Sequence, residues 1–359
     1  MRRRLIGAQE SAATVGSASR GEGIKSDSNG SLMTILATTA ANRPSGRPQI
    51  LLRRHLLLNT MNYRTFGRTG WQVSEISLGG AYLSGNDPDS EQENANQIVR
   101  RAKDLGINYI DTAPYYGNSE ILLGEALEGL HDDFHVATKV GFDPDPFDYQ
   151  SDTVLRSIER SLERLRIPRI SLVQIHEVNL AGWEKIMSPG GALDGLKSAR
   201  KQGLCERIGI TSRAISLLGR LAETAEFDTV LVYRDYHPGN QLSTKEVVPA
   251  AVSQQMGIVI ATPLAGCVFT DGPRRSEGLE PMETVERNRA ENALKILDLL
   301  PGTTVQNCYQ YLLADKRVST VCGGPASLEE LEEIASASDM GPLSDSTVSK
   351  LNTSEPELE

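Results

Sequence analysis

Three apolar runs in the first half of the organised sequence each end on a group that can move or steer a proton. Asp111 closes "INYID", Lys139 closes "FHVATK" and His176 closes "ISLVQIH", while Tyr116 follows Asp111 within "DTAPYYGNSE". A free phenol titrates near ~10 and is a weak acid at neutral pH. A neighbouring ammonium favours phenolate, so Lys139 is expected to lower Tyr116 toward the range where proton transfer is efficient. Asp111 can hold that lysine, and His176 can donate a hydrogen bond to an oxygen bound beside the tyrosine. The set suits protonating a carbonyl oxygen or deprotonating an alcohol while another group carries hydride. Each residue alone has an ordinary reading: a helix-capping aspartate, a solvated lysine, a structural histidine beside Glu177. Their conjunction at consecutive strand ends favours function. A Schiff-base role for Lys139, as in an aldolase, is a different chemistry open to the same residue.

Elements that place such groups together alternate along the chain from Met61 onward. Eight candidate strands, over 75–79, 107–111, 134–139, 170–176, 207–211, 228–233, 257–262 and 318–323, are short and several are nearly continuous in apolar residues. That pattern fits parallel strands covered on both faces. Between them lie amphipathic stretches such as 152–165, where Val154, Leu155, Ile158, Leu162 and Leu165 recur at helical spacing. Gly106 and Gly203 are placed as helix stops. Eight such units predict an α/β fold, a (β/α)8 TIM barrel with an N-terminal hairpin in "YRTFGRTGWQVS" plugging the lower end. A doubly wound open sheet is the runner-up, but no correctly spaced G-x-G-x-x-G follows an early strand. In a barrel, strand ends and the loops after them form the active face.

The chain has 359 residues, 39% hydrophobic and 23% charged, with a net charge of -10. Residues 1–60 carry nine basic and three acidic side chains, about +6, which leaves about -16 for the rest. An acidic body argues against nucleic acid and anionic membrane as partners. Scattered Cys205, Cys267, Cys308 and Cys322 form no C-x-x-C pair, which points to a reducing compartment and a cytoplasmic location. The basic leader, 1–60, is read as a disordered N-terminal extension, and three origins compete for it. It is an organelle-targeting peptide, a regulatory tail, or the product of an early start with Met61 the true beginning; the last is favoured. The barrel is expected over 61–340, followed by a loose polar tail over 341–359. His131 and His135 are four apart, but the segment enters a strand, so no metal site is expected.

"DTAPYYGNSE", "VATKVG", "LVQIH" and "RIGIT", with "GIVIATPLAG" and "VCGGPASLEELEE" downstream, resemble the signature blocks of the aldo-keto reductases. The resemblance runs from about Met61 to about Ala337. It implies that Tyr116, Asp111, Lys139 and His176 are a catalytic tetrad, with Tyr116 the proton donor or acceptor. It also implies a nicotinamide cofactor at the barrel mouth, without a Rossmann domain. By this resemblance the cofactor contacts are Gly80, Ala81, Thr211, Ser212, Tyr233, Thr262, Pro263, Leu264, Gly266, Gly324, Ser327 and Glu330. Tyr82, with Tyr116 and His176, is a substrate contact.

Departures from the family pattern narrow the reading. Thr211-Ser212 stands where many members have Ser-Asn, Ala261 where many have a stacking aromatic, and Tyr233, followed by Tyr236, where many have glutamine. The set looks most like the L-galactose dehydrogenase-like branch, whose members oxidise sugars at the anomeric carbon with NAD. Ala326 replaces a cation that NADP-preferring members use for the 2′-phosphate, and Glu329 and Glu330 follow it. NAD is therefore expected over NADP, although Arg274 or Arg275 in the loop 265–285, a candidate lid, could contact the adenosine. The expected partner is a small-molecule carbonyl or sugar substrate. The alternative is a non-catalytic sensor or regulatory subunit on the same barrel.

Overall fold

The computed structural model describes residues 61–353 except 84, 86–87, 143–146 and 271–281. The leader 1–60 and the cations Arg274 and Arg275 of the expected lid lie outside the described residues. Chain order begins with the predicted hairpin: β1 (Tyr63–Thr65) pairs antiparallel with β2 (Gln72–Ser74), Tyr63 opposite Ser74. The eight expected strands follow as β3 (Ile76–Gly79), β4 (Tyr109–Asp111), β5 (His135–Val140) and β6 (Ile170–Ile175). They continue as β7 (Cys205–Ser212), β8 (Thr229–Tyr233), β9 (Gly257–Ala261) and β10 (Thr320–Gly323). Each pairs in parallel with the next, and β10 returns to β3 with Val321 beside Ile76, closing the barrel.

Helices on the outside supply the second layer. Ser151–Leu165 buries Val154, Ile158 and Leu165 against the barrel, while Leu155 and Leu162 are partly buried at the flanks. Gly106 and Gly203 adopt the left-handed φ of 82° and 80° that ends a helix before β4 and β7.

The hairpin seals the lower end with aromatic bulk. Phe66, Trp71 and Val73 enter the interior cluster with Tyr109, Ala137, Leu172, Leu231 and Val259. Phe66 meets the Tyr109 ring edge-on at 5.3 Å, and Trp71 stacks on His135 at 4.3 Å. A Cβ on Gly257 would collide with the Phe66 ring, so glycine at the start of β9 makes room for the plug. Burying a side chain of this size stabilises the fold by about 1.5–3 kcal/mol.

The expected loose C-terminal tail is corrected over its described part, 341–353. The helix Leu328–Met340 continues beyond Ala337, and a further helix, Asp345–Asn352, packs on the body. Leu351 is 1% exposed, and Tyr311 donates to Asn352 Oδ1 at 2.5 Å. Two apolar side chains, Val348 and Leu351, are enough to dock this otherwise polar helix. Among the described residues no helix is long and apolar enough to cross a membrane.

Candidate active site

Strand register decides which side chains meet at the upper mouth. Asp111, the last residue of β4, lies beside Ala137 of β5, and Lys139 lies beside Gln174 of β6. His176 follows β6 directly, and Tyr116 sits in the loop after β4. Lys139 Nζ donates to Asp111 Oδ1 and, at 2.9 Å, to the Thr112 carbonyl. Asp111 is 4% exposed and Lys139 1% exposed, so the ion pair is buried. Lys139 Nζ lies 4.8 Å from the centroid of the Tyr116 ring. The Tyr116 and His176 rings are 6.0 Å apart and perpendicular. All four predicted proton-handling residues are thus drawn together.

Electrostatics differ from the sequence expectation in one respect. Lys139 pulls the Tyr116 phenol downward as anticipated, but burial acts more strongly and the net shift is upward, with Asp111 adding to it. The expected lowering is therefore corrected: the sequence shows the cation but not the enclosure that opposes it. The His176 imidazole is held well below its usual value, first by burial and then by the Lys139 charge. A neutral imidazole carries one N–H to donate and one acceptor nitrogen. Its Nδ1 is buried without a hydrogen-bond partner among the described residues.

Several residues at the mouth were not singled out from sequence. Gln174 Nε2 donates to Asp111 Oδ2 at 2.7 Å. Tyr149 donates to the His176 and Glu177 carbonyls at 2.9 and 3.2 Å, fixing the chain as it leaves β6. Glu177 adopts a left-handed φ of 51° and accepts from the Tyr233 hydroxyl at 2.6 Å. Phe142 stands edge-on to His176 at 5.3 Å, with Tyr115 at 4.2 Å and Phe147 at 4.5 Å from Phe142. An aromatic wall therefore flanks the imidazole on the β4–β5 side, and a carboxylate–phenol pair flanks it on the β8 side. Inward parity on β6 would have flagged Gln174, two residues before His176. The aromatic wall is set by loop geometry, which has no periodic signature.

The expected cofactor contacts fall around the same rim. Gly80, Ala81 and Tyr82 form a single 3-10 turn after β3, with Tyr82 exposed. Thr211 and Ser212 end β7, Tyr233 ends β8, and Thr262, Pro263, Leu264 and Gly266 follow β9. Gly324, Ser327 and Glu330 lie after β10, where Ser327 caps the helix Leu328–Met340. Thr262, Ala265, Gly266 and Cys267 all have positive φ, so that loop is sharply folded. Leu264 instead packs against the hydrophobic core, and Tyr236 turns away from the mouth to donate to Asp315 Oδ2 at 2.6 Å. His135 stacks on Trp71 at the plug end, and His131 is half-exposed.

The residues present fit a nicotinamide dinucleotide. Thr211 Oγ1 is buried at the mouth without a partner among the described residues, available to a carboxamide. The helix Leu328–Met340 presents its N-terminus after two glycines, where Ser327 and the Glu330 carboxylate already take backbone N–H groups, a setting suited to a hydroxyl-bearing group.

Comparison with known proteins places the chain in a family. Residues 75–355 match the profile of the Aldo/keto reductase family. The chain is 30% identical over 289 residues to L-galactose dehydrogenase of Arabidopsis thaliana, covering 78% of this chain and 89% of that protein. It is 28% identical over 302 residues to a D-threo-aldose 1-dehydrogenase of Pseudomonas sp, covering 74% and 90%. An aldo-keto reductase of Bacillus halodurans in its holo form superposes with a TM-score of 0.69 at 22% identity, over 83% of this chain and 98% of that one, which shows a shared fold. The chain belongs to the aldo/keto reductase family and is an oxidoreductase of the dehydrogenase/reductase type.

Proposed function

We propose that the protein interconverts an aldehyde or sugar hemiacetal with its alcohol or lactone, using NAD(P) and Tyr116 as proton donor or acceptor. The observation that carries this reading is the Lys139 ammonium, buried in an ion pair with Asp111, lying 4.8 Å from the centroid of the Tyr116 ring beside a neutral His176. Nicotinamide, when bound, supplies hydride transfer. The chain's own residues handle the proton and the oxygen. In reduction Tyr116, which holds its proton at neutral pH, donates it to the carbonyl oxygen. His176 donates a hydrogen bond to that same oxygen and stabilises the charge growing on it. In oxidation Tyr116 must first be deprotonated, and Lys139 stabilises the phenolate that accepts the hydroxyl proton. The aromatic wall of Tyr115, Phe142 and Phe147 covers an apolar face of the substrate and limits water at the reacting atoms.

Thr211, Ser212 and Tyr233 would hold the carboxamide end of the cofactor, and the residues after β10 its adenosine. Ala326 offers no cation, and its backbone N–H already donates to Glu330 Oε2 at 2.7 Å. A carboxylate at that position disfavours a 2′-phosphate, so NAD is preferred over NADP. The sugar-dehydrogenase relatives support an aldose substrate oxidised at its anomeric carbon. The scattered cysteines support a reducing compartment such as the cytoplasm.

A panel of aldoses and simple aldehydes, followed by nicotinamide absorbance with each cofactor, tests the reading. NAD-linked oxidation of at least one aldose is expected. Tight cofactor binding with no turnover across the panel would overturn it in favour of a non-catalytic sensor.

A further inference from the structure

We infer that Gln174 is a positioning residue for proton transfer: its amide fixes the Asp111 carboxylate so that Lys139 stays aimed at Tyr116. The inference rests on the proposed role of Tyr116 and adds a residue to it.

Inward-facing positions on β6 alternate, and Leu172, Gln174 and His176 share that parity. Leu172 packs in the plug layer and His176 lies at the rim, so Gln174 occupies the layer between them. It is 0% exposed. Its register partner on β5 is Lys139, and its partner on β7 is Gly209. A Cβ on Gly209 would lie 3.2 Å from Gln174 Cγ and would collide with Thr229 Oγ1, so glycine there opens the space the amide fills.

The hydrogen bonds divide cleanly. Asp111 Oδ1 accepts from Lys139, and Oδ2 accepts from Gln174 Nε2 at 2.7 Å. The amide orientation follows from chemistry, because a reversed amide would set its oxygen against a carboxylate oxygen. Lys139 has three N–H donors: one goes to Asp111, one to the Thr112 carbonyl, and one remains on the side of the Tyr116 ring. A carboxylate held at only one oxygen can rotate, and the ammonium would turn with it. Gln174 Oε1 itself has no partner among the described residues. A leucine would fill the same volume without that orphaned acceptor, so packing alone does not explain an amide here.

The test compares Gln174→Met with Gln174→Glu, with Tyr116→Phe run in parallel. The titratable groups facing the Asp111–Lys139 pair are Tyr109, Tyr116, His176 and Cys322. None of them gains or loses a partner in either variant. Gln174→Met removes the donor at nearly constant volume. Its kcat should fall about tenfold or more, the scale of a lost hydrogen bond to a charged group, with cofactor affinity retained. Gln174→Glu can donate to Asp111 only while the introduced carboxyl group is protonated. The ratio of its kcat to that of Gln174→Met should therefore rise as pH falls, which a purely structural role would not produce.

Unfolding midpoints and cofactor fluorescence titrations establish that each variant is folded. If one variant fails to fold, the pH profile of the other against the parent still decides the matter. A normal kcat in Gln174→Met, or superimposable pH profiles for the two variants, would overturn the inference. Loss of activity in Tyr116→Phe alongside a normal Gln174→Met sinks this inference alone. An active Tyr116→Phe sinks the tyrosine reading beneath it.

Discussion

The two ends of the barrel are filled by opposite strategies. At the plug end Phe66, Trp71 and Tyr109 form an aromatic layer, and Gly257 is a glycine so that a ring can pack against it. At the mouth an ion pair is buried, Glu177 takes a left-handed backbone, and His176 Nδ1 and Thr211 Oγ1 lack partners among the described residues. Apolar burial stabilises a closed barrel wherever it occurs, so the plug needs only shape. Burying charge is costly, and a buried pair is retained where its geometry does something other than hold the fold. The contrast assigns stability to one end and chemistry to the other.

Lys139→Met attacks the comparison where it is strongest. It leaves Asp111 buried without its counter-ion, held by the Gln174 amide alone among the described residues, which should lower stability by about 3–5 kcal/mol. It should also reduce kcat about a hundredfold, since Tyr116 loses the cation that favours its phenolate. Steady-state kinetics with a parallel denaturation curve measures both. Phe66→Ala should match it in stability alone, losing about 3–5 kcal/mol by denaturant midpoint while kcat of the folded fraction stays at the parent value. A fall in kcat with stability intact would erase the division between the two ends.

The pH dependence sharpens the chemical half. Because the Tyr116 phenol is raised, it keeps its proton through neutral pH. Reduction should persist and then fall as pH rises through that folded value, while oxidation should climb over the same range. His176 is shifted well below its ordinary value and stays neutral, so no limb is expected near the free-histidine value of ~6.5. The smallest expected effect lies at the adenosine end. Ala326→Arg should improve kcat/KM with NADP relative to NAD by about tenfold by supplying a cation for the 2′-phosphate.

How much of this was legible in the sequence follows the same divide. All eight strands could be placed, because parallel strands covered on both faces are written as continuous apolar runs. Asp111, Lys139 and His176 could be found because strand ends are countable. Gln174 was legible in principle, by parity with His176, but an amide within an apolar strand carries no chemical signal until its carboxylate partner is known. The wall of Tyr115, Phe142 and Phe147 depends on loop conformation. So does the Glu177–Tyr233 bond, which joins residues 56 apart in sequence. The net direction of the Tyr116 shift was misjudged, since a neighbouring charge can be read from a motif and burial cannot. The C-terminal helix escaped because two apolar contacts are too few to make a pattern.

A phenol that moves a proton is the central claim. Tyr116→Phe keeps the ring over Lys139 and removes only the hydroxyl. With cofactor binding and unfolding midpoint unchanged, its kcat on any substrate the parent turns over should drop by at least about a hundredfold. A rate within a few-fold of the parent would contradict that claim.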